Sequence, residues 1–330
     1  MAARPWNPGY CWSAIDDAAT RDPPLMTSSA PKLAHRNVLR VVGQLALRMR
    51  WDLLLMAVLC GAALLIEQVT QTKQLQLIDG SGLSMLGIAV SIFVAFRNTQ
   101  AINRWWEARV LWGAITNCSR HWRDSLQTLL GAESRLRPQQ QQLVGLEVLQ
   151  CWLLNFELRG FWRSDARARV QDLCRALGLP AGVTVQQTMT LRASLIGQLH
   201  RQGAVNDWGR DALLRGMEQF TNAMGGLQRI RNTPLPPTYD VFIRLICWLY
   251  GYALFGTFAS QGSAFTGLLL FLGFVSAERI GAYVEGPFDQ DGSSFCVPMD
   301  AVCRTISADL LGSQHPLAEL PISNDPSRWS

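Results

Sequence analysis

Between Leu83 and Phe96 the chain carries no charged residue, and at Arg97 it turns basic and polar without losing helical spacing. This stretch, SGLSMLGIAVSIFVAFRNTQAINRWWEARVLW over residues 81–112, constrains the fold more than any other. Ile88, Ile92 and Phe96 follow one another at i, i+4 intervals, so they stack on one stripe of a helix. Gly87, Ala89, Ser91 and Ala95 lie on nearby faces, and such small residues let other helices approach closely. Spacing alone fits either an ordinary core stripe or a narrow apolar ring presented outside the helix.

Composition separates membrane from soluble classes. Of 330 residues, 17% are charged, against about a quarter in a typical soluble domain. Mean hydropathy is +0.09, which fits a chain that is part membrane helix and part water-exposed helix. Twelve tryptophans suit a protein with membrane interfaces, where indole rings favour the headgroup level. The net charge of +5 is modest, and no basic run interleaves with aromatics, so nucleic acid is not an expected partner. The eight cysteines are scattered with neither a CxxC pair nor zinc spacing, which predicts reduced, buried thiols and no metal cluster.

Residues 1–31 read as a disordered tail without a secretory signal, and Met26 offers an alternative start. Lys32, Arg36, Arg40, Arg48 and Arg50 precede a first apolar run. Membrane-crossing helices are predicted at about 48–69, 83–97, 241–259 and 264–283, paired as two hairpins. Arg97, Arg104 and Arg109 follow the first hairpin, whose tip carries only Lys73 and Asp79. The positive-inside rule therefore places both termini in the cytoplasm. Between the hairpins, amphipathic helices at about 98–131, 139–162 and 185–230, with a further one at 298–312, are too charged to span a bilayer. They predict a cytoplasmic helical bundle, with Asn206 or Asp207 as a helix cap. Residues 313–330 read as an extended or disordered tail. The fold class is all-α.

Catalysis has little support. His35, His121, His200 and His315 are isolated, and no HExxH, phosphate loop or nucleophile elbow occurs. The chain is not expected to be an enzyme, nor to carry a cofactor. DQDGSS, residues 289–294, resembles the start of a calcium loop. Its third ligand is missing, however, and Asp300 stands where a glutamate is required.

Three segments carry a family resemblance: FRNTQAINRWWEARVLWG (96–113), RIRNTPLPPTY (229–239) and EGPFDQDGSSFCVPMDAVCRTI (285–306). In this order they resemble the bacterial branch of the bestrophin family, over roughly residues 32–312. The resemblance implies a homopentameric ion channel with a central pore in the bacterial inner membrane. It places the narrow neck at Ile88, Ile92 and Phe96, and a second, cytoplasmic constriction at Leu235. Arg104, Trp105, Trp106, Glu107, Pro234, Pro287 and Phe288 fall on signature positions with structural roles. In the eukaryotic branch an acidic calcium clasp aligns with residues 289–294, where only Asp289 and Asp291 keep carboxylates.

The expected function is passive conduction of small monovalent ions, chloride or a monovalent cation, through a hydrophobic neck that gates by dewetting. Arg97 at the pore mouth would favour anions, provided it does not pair with an acid such as Glu107. A membrane-anchored scaffold with a cytoplasmic interaction domain is the alternative. A secondary transporter fits less well, because neither internal repeats nor a mid-membrane acid in the neck helix is evident.

Overall fold

The computed structural model describes residues 38–70, 78–131, 133–159, 164–288 and 295–321. The described residues form ten α-helices and one 3-10 turn (Ser134–Leu136), with no strand. The helices are α1 (Val38–Arg48), α2 (Arg50–Thr70), α3 (Gly80–Leu130), α4 (Arg137–Arg159), α5 (Ser164–Ala176), α6 (Val185–Arg201), α7 (Asp207–Asn232), α8 (Pro237–Ser260), α9 (Ala264–Glu285) and α10 (Met299–Leu311). They divide into two compact units. A membrane unit holds residues 33–107 and 232–287, and a polar unit holds residues 108–231 and 288 onward.

The membrane unit contains α1, α2, the first part of α3, α8 and α9. α2, α3, α8 and α9 each contain a stretch long and apolar enough to cross a bilayer. Their cores are thin. Met49, Met56, Cys60 and Ala63 from α2 and the adjoining turn meet Phe255, Ala259, Phe271 and Val275 from α8 and α9. Leu83, Val90 and Val94 from α3 meet Ile243, Cys247, Tyr250, Ala253 and Leu254 from α8. Close approach depends on glycine here. A Cβ on Gly251 would collide with the Phe271 ring, and one on Gly267 would meet the Phe255 backbone. The α8–α9 connection is a tight turn closed by Gly262 and Ser263 N–H groups donating to Ala259 and Phe258 carbonyls. Gly262 sits there at φ +77°, a conformation that side chains with a Cβ resist.

The polar unit holds the remainder of α3 with α4, α5, α6, α7 and α10. Trp122, Leu126, Leu130, Leu143, Ile196, Leu199, Leu213 and Met217 fill one of its cores. Its helix starts are well specified. Thr184 and Gln187 form a reciprocal capping box on α6, and the Asn206 carboxamide oxygen accepts from Gly209 N–H at α7.

α3 is continuous over Gly80–Leu130, roughly 77 Å at 1.5 Å per residue. α6 and α7 are separated by a turn through Gly203, φ +71°. The described structure departs from the sequence expectations at two places. α5 was not expected at all. Its sequence, SDARARVQDLCRA, is dense in charge, and only Ala166, Val170, Leu173 and Cys174 supply its buried face. The tail expected from residue 313 is packed as far as it is described. Leu317 and Leu320 are buried, and the Arg304 guanidinium donates to Leu320 O at 3.4 Å. Two leucines three residues apart gave that segment an apolar face which its polar composition concealed. Residues 1–31 lie outside the described residues.

Candidate pore-facing stripe and buried ion-pair girdle

In the membrane unit α3 has two opposite faces. Val90, Val94, Arg97 and Ala101 are buried against the unit's own helices. Ile88, Ile92 and Phe96 point away from it, 66%, 50% and 62% exposed. Other apolar residues are also exposed, so exposure alone does not single these out. α2 presents Trp51, Leu54, Leu55, Val58, Leu65 and Ile66, a surface of large aliphatic side chains suited to lipid. The exposed face of α3 differs in composition. Ser84, Ser91 and Ala95 intersperse its large residues, and beyond Phe96 Thr99, Gln100 and Asn103 stand among the exposed Ile102 and Trp106. A lipid-facing surface has no use for that amide and hydroxyl content, whereas a close helix neighbour or a wet passage does.

One turn beyond Ile92 on the opposite face sits Arg97, 1% exposed. The structure corrects the expectation of a pore-mouth charge. Arg97 Nη1 donates to Glu278 Oε1 at 2.9 Å and to the Glu278 carbonyl at 2.8 Å. Nη2 pairs with Asp240 and lies 3.6 Å from Glu285 Oε2. Glu278 continues the chain to Arg279 at 3.6 Å. Asp52 then accepts from Arg279 at 2.7 Å and from Arg244 at 3.2 Å. Three arginines thus face four carboxylates, from α2, α3, α8 and α9, with no surplus of positive charge to attract an anion. Burial of a guanidinium demands such partners, because an unpaired buried charge costs several kcal/mol. Glu107, offered by the sequence as a partner, is not among the acids that hold Arg97.

The signature residues fix the segment before α8. Arg104 Nη1 donates to Thr233 O at 2.6 Å, and Arg104 Nε lies 3.5 Å from Glu285 O. Glu285 Oε1 accepts the Leu235 N–H at 3.1 Å. Pro234, Pro236 and Pro237 leave few backbone donors in this segment, so that bond and the Thr233 carbonyl are its main anchors. The Leu235 side chain is partly exposed. Trp105 and Trp106 stack at 6.2 Å, with Trp106 outward. Pro287 and Phe288 are buried in the turn that follows α9. Asp289 and Asp291 lie outside the described residues. Among the described residues no cluster of three or more His, Cys, Asp or Glu side chains has metal-binding geometry. The seven described cysteines are buried and unpaired in disulfides. In the polar unit burial pushes the Cys118 thiol up to about 12, and the Cys151 and Cys303 thiols well above their ordinary value. They are inert packing groups at neutral pH.

Sequence reasoning linked Arg97 only to Glu107. It missed Asp52, Asp240 and Glu285 as members of the same network. Asp52 was the available signal, a carboxylate in the first turn of a helix that is then uncharged from Leu53 to Ile66.

Four apolar helices of spanning length define a multi-pass membrane protein. The description of the Bacterial/Fungal Bestrophin protein family matches residues 26–312, and the chain belongs to that family. A voltage-dependent anion channel-forming protein of Ralstonia nicotianae is 30% identical over 240 residues, 69% of this chain and 76% of that one. The Escherichia coli K12 protein YneE, also named a voltage-dependent anion channel-forming protein, is 26% identical over 74% of this chain and 80% of its own length. Among solved structures, a mutant form of a bacterial bestrophin homologue from Klebsiella pneumoniae superposes with a TM-score of 0.66. It is 25% identical, and the match covers 80% of this chain and 98% of that one.

Proposed function

We propose that the chain forms a passive, anion-conducting channel, a homopentameric ring in the bacterial inner membrane with both termini in the cytoplasm. Ile88, Ile92 and Phe96 form its neck and Leu235 a second constriction. The observation that carries the reading is the exposed stripe of α3, where three large apolar side chains stand outside the unit's own packing among Ser and Ala neighbours. In a fivefold ring each position becomes a collar of apolar groups, and a narrow dry collar blocks ions until it widens. The anion preference is supported by the names of the Ralstonia and Escherichia relatives. It does not draw on Arg97, whose charge is neutralised internally. Orientation is supported by Arg48 and Arg50 at the junction of α1 and α2 and Arg104 and Arg109 beyond the span of α3. Glu285 holds the Leu235 backbone, which gives the second constriction a fixed frame.

Ile92→Ala and Phe96→Ala test the neck in single-channel recordings. Both are expected to raise conductance severalfold by widening a dry collar. Unchanged current in both, from folded and inserted protein, would remove these residues from the neck.

A further inference from the structure

Arg97 is neutralised inside the girdle, so an anion preference needs another source. The stripe that carries Ile88, Ile92 and Phe96 continues along α3. At about 100° per residue, Asn103 falls about 20° from the line of Phe96, Gln100 about 40° and Thr99 about 60°. Trp106 falls about 80° off that line and Ile102 about 120°. Thr99, Gln100 and Asn103 are all exposed, but they differ in the hydrogens they can offer. Thr99 Oγ1 donates to Ala95 O at 2.9 Å, which turns its one hydroxyl hydrogen back onto the helix. Among the described residues, no hydrogen bond or ion pair engages the carboxamide of Gln100 or of Asn103. Each therefore keeps two N–H donors for whatever passes its face. Glu107, one turn past Asn103, is half-buried and has a partner of its own.

We propose that Asn103, flanked by Gln100, coordinates the permeating anion as it leaves the dry collar, its carboxamide N–H groups donating to the ion in place of lost water. This inference rests on the anion-conducting reading and deepens it by naming the residues that select. At 1.5 Å per residue, Gln100 lies about 6 Å and Asn103 about 10 Å past Phe96 along α3. They are thus among the first polar groups that an ion stripped in the collar meets. In a ring, Asn103 of every subunit turns its amide towards the same axis. Conduction requires a site that holds the ion and also lets it go, which uncharged donors do better than a fixed guanidinium. Asn103 lies nearer the stripe than Gln100 and has one rotatable bond fewer, so it loses less freedom on engaging the ion. Thr99 shares the face but has no hydrogen to give, which makes it the internal comparison.

The test is the reversal potential of the full-length protein in planar bilayers under a potassium chloride gradient, for the parent and for variants of the two side chains. Asn103→Leu, which keeps the bulk and removes the amide, should lower the chloride-to-potassium permeability ratio about tenfold. Gln100→Leu should lower it less. Asn103→Asp, which keeps the shape and adds a negative charge, should carry the reversal past zero towards the potassium potential. Thr99→Val should leave it where the parent has it. Asn103→Ala replaces the leucine variant if that one fails to assemble. A reversal that Asn103→Asp does not move takes Asn103 out of the passage and overturns the inference. Full chloride preference in Asn103→Leu overturns it as well, and so does an equal loss in Thr99→Val, which would make general polarity the cause. In each of those cases a parent reversing near the chloride potential leaves the channel reading standing. A parent reversing near the potassium potential defeats that reading and this inference with it.

Discussion

Arg97 in the membrane unit and Arg192 in the polar unit are both sealed from solvent, yet their surroundings differ in the number and kind of partner. Arg97 is held by Asp240, Glu278 and Glu285, and the pairing continues through Arg279 to Asp52 and Arg244. Arg192 has one carboxylate, Glu147, together with the Gln150 carboxamide and the face of Trp122 at 4.0 Å. Glu147 in turn accepts from Ser119 Oγ at 2.8 Å. The polar unit thus has a closed pair supported by neutral groups. The membrane unit has an open chain of charges that ties four helices together. A closed pair can be deleted as a unit. An open chain cannot, because removing any member strands the next.

That difference sets the largest expected effect. Arg97→Met leaves Glu278 buried beside one remaining cation and Asp240 and Glu285 without their shared partner. It should cost about 5 kcal/mol, read as loss of the folded, extractable protein in thermal unfolding. Arg192→Met strands a single carboxylate, so the cost should be nearer 3 kcal/mol. The comparison sharpens with a double change. Arg192→Met, Glu147→Leu should recover most of the loss. Arg97→Met, Glu278→Leu should not, because Asp240 and Glu285 remain. Equal recovery in both would show that the girdle behaves as one pair and would break the distinction.

A smaller effect tests the C-terminal segment of the polar unit. Burial and the nearby Arg169 hold His315 down to about 4 from an ordinary 6.5, and its Nδ1 accepts the Leu317 N–H at 3.2 Å. The imidazole is therefore neutral when folded. Its contribution to stability is complete above pH 6.5 and is lost as pH falls from 6.5 towards 4, where the unfolded chain takes up the proton and the folded one does not. The loss should amount to about 3 kcal/mol. His315→Gln should flatten the stability difference between pH 7 and pH 4.5 relative to the parent protein. An unchanged pH profile would mean that the segment is not packed in solution.

The same contrast explains what the sequence could carry. The membrane helices were legible because a long uncharged run has few alternatives, as in residues 83–96, and because the short polar tip around Gly262 forces α8 and α9 to be neighbours. The exposed stripe of Ile88, Ile92 and Phe96 follows from spacing, although spacing does not say which face of a helix is left bare. The partners of Arg97 were out of reach. They lie 143 and 181 residues away, while the local candidate Glu107 is not among them. α5 was missed because its apolar residues are few and its arginines many, so tertiary burial rather than a strong pattern defines its inner face. Leu317 and Leu320 were missed for the same reason, two apolar groups in a polar setting.

The most direct measurement is the reversal potential of the purified protein in a planar bilayer under a potassium chloride gradient, with and without calcium. Reversal near the chloride equilibrium potential is the predicted result, and it should persist in variants of the neck that raise conductance. Reversal near the potassium potential, or no current from protein shown to be folded and inserted, would contradict an anion-conducting pore.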